Sequence, residues 1–260
     1  MTRVIAPAKL TLSLAVTGVR PDGLHELRAE MVALSLADEL TITEGSTGLT
    51  VTAEPEARAG TLGRDEGNLI VRALAAVRRT AAVHLVKRIP LGGGLGGGSS
   101  DAAAVLRWAG CTDAATALEL GSDVPFSLAG GCALVEGVGD VVTPLEFVRR
   151  EFVLLIPPFG VHTGRVYAAW DERRRSRSSD GGANELTDAA LFVEPRLGMW
   201  RDALGELTGR APVLAGSGST WFVEDGPGKI ATDDLHWLDV GAARARLVRV
   251  HTVPAGWDGD

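Results

Sequence analysis

The residues Leu91 to Ser100 read LGGGLGGGSS, six glycines falling in the seven positions 92–98. Removing almost every side chain over so short a stretch means that another group comes close to this backbone, or that the backbone takes conformations L side chains avoid. The flanks narrow the choice. AVHLVKRIP before the run has the look of a short strand ended by Pro90. DAAAVLRWA after it favours helix, with Gly110 as its stop and Ser99 or Ser100 as its expected cap. A bare loop between strand and helix turns backbone N–H groups into a concavity. The helix N-terminus adds its positive dipole end, so phosphate oxygens are the natural guest. A flexible linker is the plainer alternative, but linkers are not usually bracketed by a strand and a capped helix.

Ahead of the run the chain reads as mainly β. Leu10, Leu12, Leu14 and Val16 fall on one side of a period-2 pattern and Lys9, Thr11 and Ser13 on the other, which turns Lys9 toward a cleft. DELTIT and GLTVTA read as a strand pair joined through Gly45 to Gly48. After Asn68, the residues Leu69, Val71, Leu74 and Val77 have helical spacing. A further helix is expected over Asp113 to Leu120, capped by Thr112 and closed by Gly121, before GSDVPF and a strand. FVLLIPP from Phe152 restarts the pattern, and a later strand at Ala211 to Leu214 leads into AGSGS. A domain boundary is therefore expected near Arg149 or Arg150, giving units 1–149 and 150–260. ERRRSRSSDGG, Glu172 to Gly182, reads as a solvated loop, and no repeat of fixed period is evident.

Composition excludes several classes. With 45% hydrophobic and 23% charged residues the chain is expected to fold, and its net charge of -7 lacks the footprint of a dedicated nucleic-acid binder. No apolar stretch is long enough to cross a bilayer, and the N-terminus carries no signal-like apolar region. Cys111 and Cys132 form neither a metal-ligand spacing nor a disulfide framework, which reads as small buried side chains in a reducing, cytoplasmic compartment. A small-molecule partner is the expectation.

Two phosphate-binding fingerprints compete for the glycines. Gly92, Gly94 and Gly97 satisfy G-x-G-x-x-G, but the match is nearly unavoidable in such a run, and helices follow where a dinucleotide fold needs a strand with an acidic end. The Walker pattern fails because no G-K-[ST] follows.

Five blocks in order carry a resemblance instead: APAKLTLSL at 6–14, RPDGLHEL at 20–27, IPLGGGLGGGSSDAA at 89–103, GSDVPF at 121–126 and AGSGS at 215–219. The chain resembles the GHMP kinase superfamily, and the pairing of PDGxHEL with GLGGGSSDAA is specific to its branch in the non-mevalonate isoprenoid pathway. The resemblance implies an α+β GHMP kinase fold, with an N-terminal domain like the second domain of ribosomal protein S5, a ferredoxin-like C-terminal domain and the active cleft between them. It implies ATP-dependent phosphorylation of the 2-hydroxyl of 4-diphosphocytidyl-2-C-methyl-D-erythritol, with Mg2+ accompanying ATP. A GHMP kinase for another small alcohol, such as mevalonate, homoserine or a sugar, and an ATP-binding paralogue without turnover are the alternatives; a dinucleotide oxidoreductase rests on the glycine coincidence alone.

By the same resemblance Asp123 matches the catalytic aspartate and Lys9 the lysine that balances charge beside it. Pro90, Leu91, Gly92, Gly93, Gly94, Leu95, Gly96, Gly97, Gly98, Ser99 and Ser100 match the ATP phosphate site, with Ser100 a candidate metal ligand. Asn68 falls where the family has NL near the nucleotide, although an asparagine before a helix is as readily its cap. His25 matches the histidine that reads the cytosine ring, Thr11 stands where an asparagine lies beside substrate, Leu24 stands where the family has an aromatic residue, and Tyr167 is a candidate aromatic face from the second domain. The segments Leu74–Val86 and Val105–Gly121 are shorter than the family's, which implies a more open ATP pocket. AGSGS resembles the family's second glycine motif.

Overall fold

β-Branched and leucine-rich alternation makes long strands of the opening residues. β1 (Thr2–Val19) and β2 (His25–Glu44) form an antiparallel hairpin through the PDG turn. The computed structural model describes residues 1–54, 57, 63, 66–173, 182–225 and 236–259. β2 is the spine of the first sheet. It pairs with β1 on one side and, on the other, with β4 (Ala81–Lys87) and β5 (Cys132–Gly137) at its two ends. β3 (Gly48–Ala53) lies outside β4 and parallel to it, and β6 (Val141–Pro144) lies outside β5. The expected pairing of DELTIT with GLTVTA therefore does not occur. β4 inserts between them, because the helix α1 (Leu69–Ala76) carries the chain over to a parallel return.

α1 is capped by Asn68 and buries Ile70 and Ala73, with Leu69, Leu74 and Val77 packed alongside; Val71 does not share that face as its spacing suggested. α2 (Gly97–Trp108) follows the glycine run. Its cap is Gly96, in the left-handed region, and not Ser99 or Ser100, which lie inside the first turn. α3 (Ala114–Leu120) is capped by Asp113, whose carboxylate accepts from Thr116 N, one residue after the Thr112 expected. α4 (Val124–Ala129) is the short turn that feeds β5.

The second sheet has the order β10 (Trp237–Val240), β11 (Ala243–His251), β7 (Glu151–Ile156), β9 (Trp221–Glu224), β8 (Val213–Leu214). α5 (Thr163–Arg173), α6 (Thr187–Val193) and α7 (Leu197–Thr208) pack against it. Every strand up to Pro144 is in the first sheet and every strand from Glu151 in the second. The core nevertheless runs across both. Val153 and Leu155 of β7 pack in one cluster with Leu14, Ala29 and Met31, while Phe152, Leu154 and Ile156 pack in another with Leu10, Val32 and Leu34. A strand buried on both faces accounts for the continuous apolar run FVLLI. Cys111 and Cys132 are free thiols and only half-buried, at the margins of clusters and not inside them as expected. No helix among the described residues is long and apolar enough to cross a membrane.

Candidate active site

Between the two sheets the glycine run closes one wall of a cleft of about 290 Å³. Part of the reason for its glycines is the protein's own chain. At Gly94, φ is +76°, and an added Cβ would run into the carbonyl oxygen of Ala215 from the second glycine motif. At Gly96, φ is +67° and a Cβ would stand 2.7 Å from Lys9 Cγ. The carbonyls of Gly92 and Gly93 accept from Ser219 N and Thr220 N at 3.3 and 3.2 Å, so the loop is stitched to the C-terminal half through its oxygens. Among the described residues the backbone N–H groups of Gly92 to Ser99 have no backbone acceptor. A row of free donors ahead of α2 forms an anion cradle.

Lys9 emerges from β1 beneath this cradle. It is 6% exposed, its backbone N–H donates to Leu95 O at 3.0 Å, and its ammonium donates to Thr11 Oγ1 at 3.1 Å. Lys9 Nζ lies 3.4 Å from Asp123 Oδ2. Asp123 occupies the N-cap position of α4 but makes no side-chain cap bond, so its carboxylate stays turned to the cleft, where it is a third exposed at 33%. A bulge opposite Met31 and Glu30, between Thr11 and Ser13, sets the faces of β1. It leaves Lys9, Leu10, Thr11 and Leu12 all buried, where plain alternation had placed Lys9 and Thr11 on a wetter face.

The opposite wall comes from the C-terminal half. Tyr167 of α5 lines the cleft; burial, together with the charge of Asp123, pushes its phenol up to about 12, so it is a neutral hydroxyl. Its ring lies 4.6 Å from that of His25, whose Nε2 is 3.0 Å from Asp171 Oδ1. Gly216 and Ser217 of the AGSGS turn face the cleft. Asn184 holds that turn, donating through Nδ2 to Leu214 O at 2.8 Å and Gly216 O at 2.7 Å.

The model of the GHMP kinases N terminal domain matches residues 68–131, the stretch that includes the cradle and Asp123. A 4-diphosphocytidyl-2-C-methyl-D-erythritol kinase of Anaeromyxobacter sp. (strain Fw109-5) is 38% identical over 85% of this chain and 81% of its own. The chain belongs to the 4-diphosphocytidyl-2-C-methyl-D-erythritol kinase family of GHMP kinases. A second kinase of this family, from Salinispora arenicola (strain CNS-205), is also 38% identical, over 84% of this chain and 81% of its own. The crystal structure of a 4-(cytidine 5'-diphospho)-2C-methyl-D-erythritol kinase superposes with a TM-score of 0.65 at 34% identity, covering 85% of this chain and 89% of that one. The L. major mevalonate kinase in complex with R-mevalonate has a TM-score of 0.62 at 12% identity, over 98% of this chain and 96% of that one, a likeness of fold alone.

Of the residues singled out for a 4-diphosphocytidyl-2-C-methyl-D-erythritol kinase site, Lys9, Thr11, Asp123, Tyr167 and the run Pro90 to Ser99 line one cleft. Four others do not line it. Ser100 is buried and its hydroxyl proton is committed to Pro7 O at 2.6 Å, which leaves Ser99 as the serine on the cleft. Asn68 accepts from Ile70 N at 2.9 Å and donates to Gly63 O at 2.7 Å, the work of a cap. His25 packs against the Tyr167 ring at 4.6 Å, and Leu24 is 51% exposed in the turn. The arginine-rich stretch lies, over 174–181, outside the described residues. Sequence reasoning missed Asp171, Asn184 and a buried triad of Lys87, Asp38 and Asp101. Asp101 sits inside the GGGSSDAA block and Lys87 three residues before Pro90. Their positions were visible, and their meeting depends on how β2 and β4 pair.

Proposed function

We propose that this chain transfers the γ-phosphoryl group of ATP to the 2-hydroxyl of 4-diphosphocytidyl-2-C-methyl-D-erythritol, giving the 2-phosphate and ADP, as a cytoplasmic enzyme of the non-mevalonate route. The observation that carries the reading is the Lys9–Asp123 pair at 3.4 Å, set in the cleft whose wall is a row of backbone donors that have no backbone acceptor among the described residues. Asp123 accepts the proton of the attacking hydroxyl as its oxygen bonds to the γ-phosphorus, and the bond from that phosphorus to the bridging oxygen breaks to release ADP. Lys9, fixed by Thr11 and Leu95, positions the Asp123 carboxylate 3.4 Å away and offsets charge on the transferred group. The backbone cradle and the start of α2 take the phosphates of ATP.

The described residues contain no cluster of three or more His, Cys, Asp or Glu fit to hold a metal by itself. The Asp123 carboxylate and Ser99 hydroxyl are hard oxygen donors on the cleft, the donor set that suits a magnesium ion carried mainly by phosphates. Held there, such an ion would offset the negative charge of the phosphates during transfer. Tyr167 and His25 are proposed to meet the cytosine ring, with Leu24 in the place of a second aromatic face. The cleft lies between units proposed at 1–149 and 150–260.

The test is a coupled ADP-release assay with ATP, magnesium and the cytidyl substrate, with identification of the phosphorylated product. Asp123→Asn is expected to lower kcat by about 10²–10⁴-fold while leaving nucleotide binding in place. Turnover of mevalonate or homoserine in place of the cytidyl alcohol, or a wild-type rate retained in Asp123→Asn, overturns the assignment.

A further inference from the structure

The helix that starts at the anion cradle carries a cation that the transfer step does not use. Arg107 stands in the last turn of α2, two turns after Ser100, and both side chains reach across to β1. Ser100 Oγ donates to Pro7 O at 2.6 Å and Arg107 Nη2 to Ile5 O at 2.9 Å. Residues seven apart share a helix face, and carbonyls two apart leave a strand on one side, so the helix holds the strand at two points. Lys9 lies two residues beyond Pro7 on that strand. The other arm of the guanidinium goes to α4. Arg107 Nη1 donates at 2.6 Å to Ser127 O, one of the end carbonyls that a helix cannot satisfy from within. Ser127 in turn donates twice to the carbonyl of Asp123, through N at 3.1 Å and Oγ at 2.9 Å. One side chain therefore joins the cradle helix, the strand of Lys9 and the helical turn of Asp123.

A salt bridge does not account for this arginine. Among the described residues no carboxylate pairs with it, and burial, with no neighbouring charge to oppose it, pushes the guanidinium below the ordinary arginine range. Taking a cation out of water onto two neutral carbonyls adds little stability, whereas a planar fork of fixed donors sets the spacing of two backbones. That spacing matters at Asp123. Its carboxylate makes no cap bond to α4, so its distance from Lys9 follows from where the two backbones lie. The cradle has anchors of its own, since Gly92 O and Gly93 O accept from Ser219 N and Thr220 N, and Leu95 O accepts from Lys9 N. We propose that Arg107 is a positioning residue of the transfer step, whose bonds to Ile5 O and Ser127 O fix Lys9 and Asp123 at their working separation beneath the cradle. Arg107 does not line the cleft, so it acts through the two backbones it holds. The inference rests on the reading of Lys9 and Asp123 as the transfer pair.

The test is a double-mutant cycle on the full chain. ADP release with ATP, magnesium and the cytidyl alcohol is measured for wild type, Arg107→Met, Asp123→Asn and the double variant, with melting temperature and affinity for a non-hydrolysable ATP analogue as controls. Arg107→Met is expected to lower kcat by about 10–10²-fold, the scale of a small misplacement of reacting groups, with KM for ATP and analogue affinity little changed. In the Asp123→Asn background the same substitution is expected to cost much less, because a group that acts by placing a carboxylate loses its effect once that carboxylate is gone. Arg107→Lys, which keeps the charge and the reach to one carbonyl, is expected to fall between wild type and Arg107→Met. Should Arg107→Met not fold, Arg107→Lys carries the same cycle. Equal losses of kcat with and without the Asp123 carboxylate, a wild-type kcat in Arg107→Met, or unfolding of both Arg107 variants overturns the inference. A wild type that releases no ADP overturns the transfer reading and the inference with it.

Discussion

Lys9 shows how a single side chain depends on its surroundings. Its stem fills the space a Cβ on Gly96 would take, and its ammonium is held between Thr11 and Asp123. Lys9→Ala is expected to lower kcat/KM by at least about 10²-fold, the scale of a removed charge-stabilising group, with the melting temperature as the control for folding. At Gly94 the conflict is steric. Gly94→Ala forces a side chain into a left-handed backbone and against the Ala215 carbonyl, and is expected to cost about 2 kcal/mol or more in denaturant unfolding, with raised KM for ATP. Lys87→Met strands two buried carboxylates, and a loss of about 3–5 kcal/mol is expected by the same measurement. The Asp101 carboxyl also sets a pH dependence of stability. Its folded value, about 7, lies above the ordinary 3.8, so the folded state binds more protons than the unfolded chain between the two. The contribution of Asp101 is therefore present in full at low pH and lost as pH rises toward 7, and thermal melts at pH 5 and 8 are expected to differ by less in Asp101→Asn than in wild type.

At the scale of elements, the cleft is assembled by segments far apart in sequence. Leu14 of β1 pairs with Asn184, its N–H donating to Ala183 O at 2.8 Å and its carbonyl accepting from Glu185 N at 3.0 Å. Asn184 in turn holds the carbonyls of Leu214 and Gly216, so the strand that bears Lys9 is joined through one amide to the second glycine turn. Asn184→Ala leaves two buried carbonyls without this donor, for which about 1–3 kcal/mol is expected in urea unfolding. Because Gly216 and Ser217 face the cleft, KM for nucleotide or alcohol is expected to rise more than kcat falls, which steady-state kinetics resolves. The helix α4 offers a contrast. Its cap residue, Asp123, gives no side-chain bond to the helix, which is what keeps a carboxylate free for chemistry at a position where it would ordinarily serve the backbone.

For the whole molecule, the two sheets divide the chain near Arg149 while the core does not. β7 sends alternate residues into two clusters, and each cluster contains residues of β1 and β2. Residues 1–149 alone would expose the face that Val153, Leu155, Phe152 and Leu154 cover, so a single unfolding transition, coincident by circular dichroism and tryptophan fluorescence, is expected for the full chain. Five matched blocks made the kinase family legible in the sequence, because a backbone cradle, a cap-position aspartate and a strand lysine are each local patterns of residue type and spacing. Local propensity likewise marked most helices and strands, β4 among them, with misses of one residue at Thr112 and of one strand pairing where β4 entered between β2 and β3. Left to tertiary structure were the meeting of Lys87 with Asp38 and Asp101, the support of His25 by Asp171, and the reason Gly94 and Gly96 bear no side chains. Each depends on distances between residues remote in the chain, which are fixed by strand register and by the closure of one half on the other. Spacing along a sequence does not contain them.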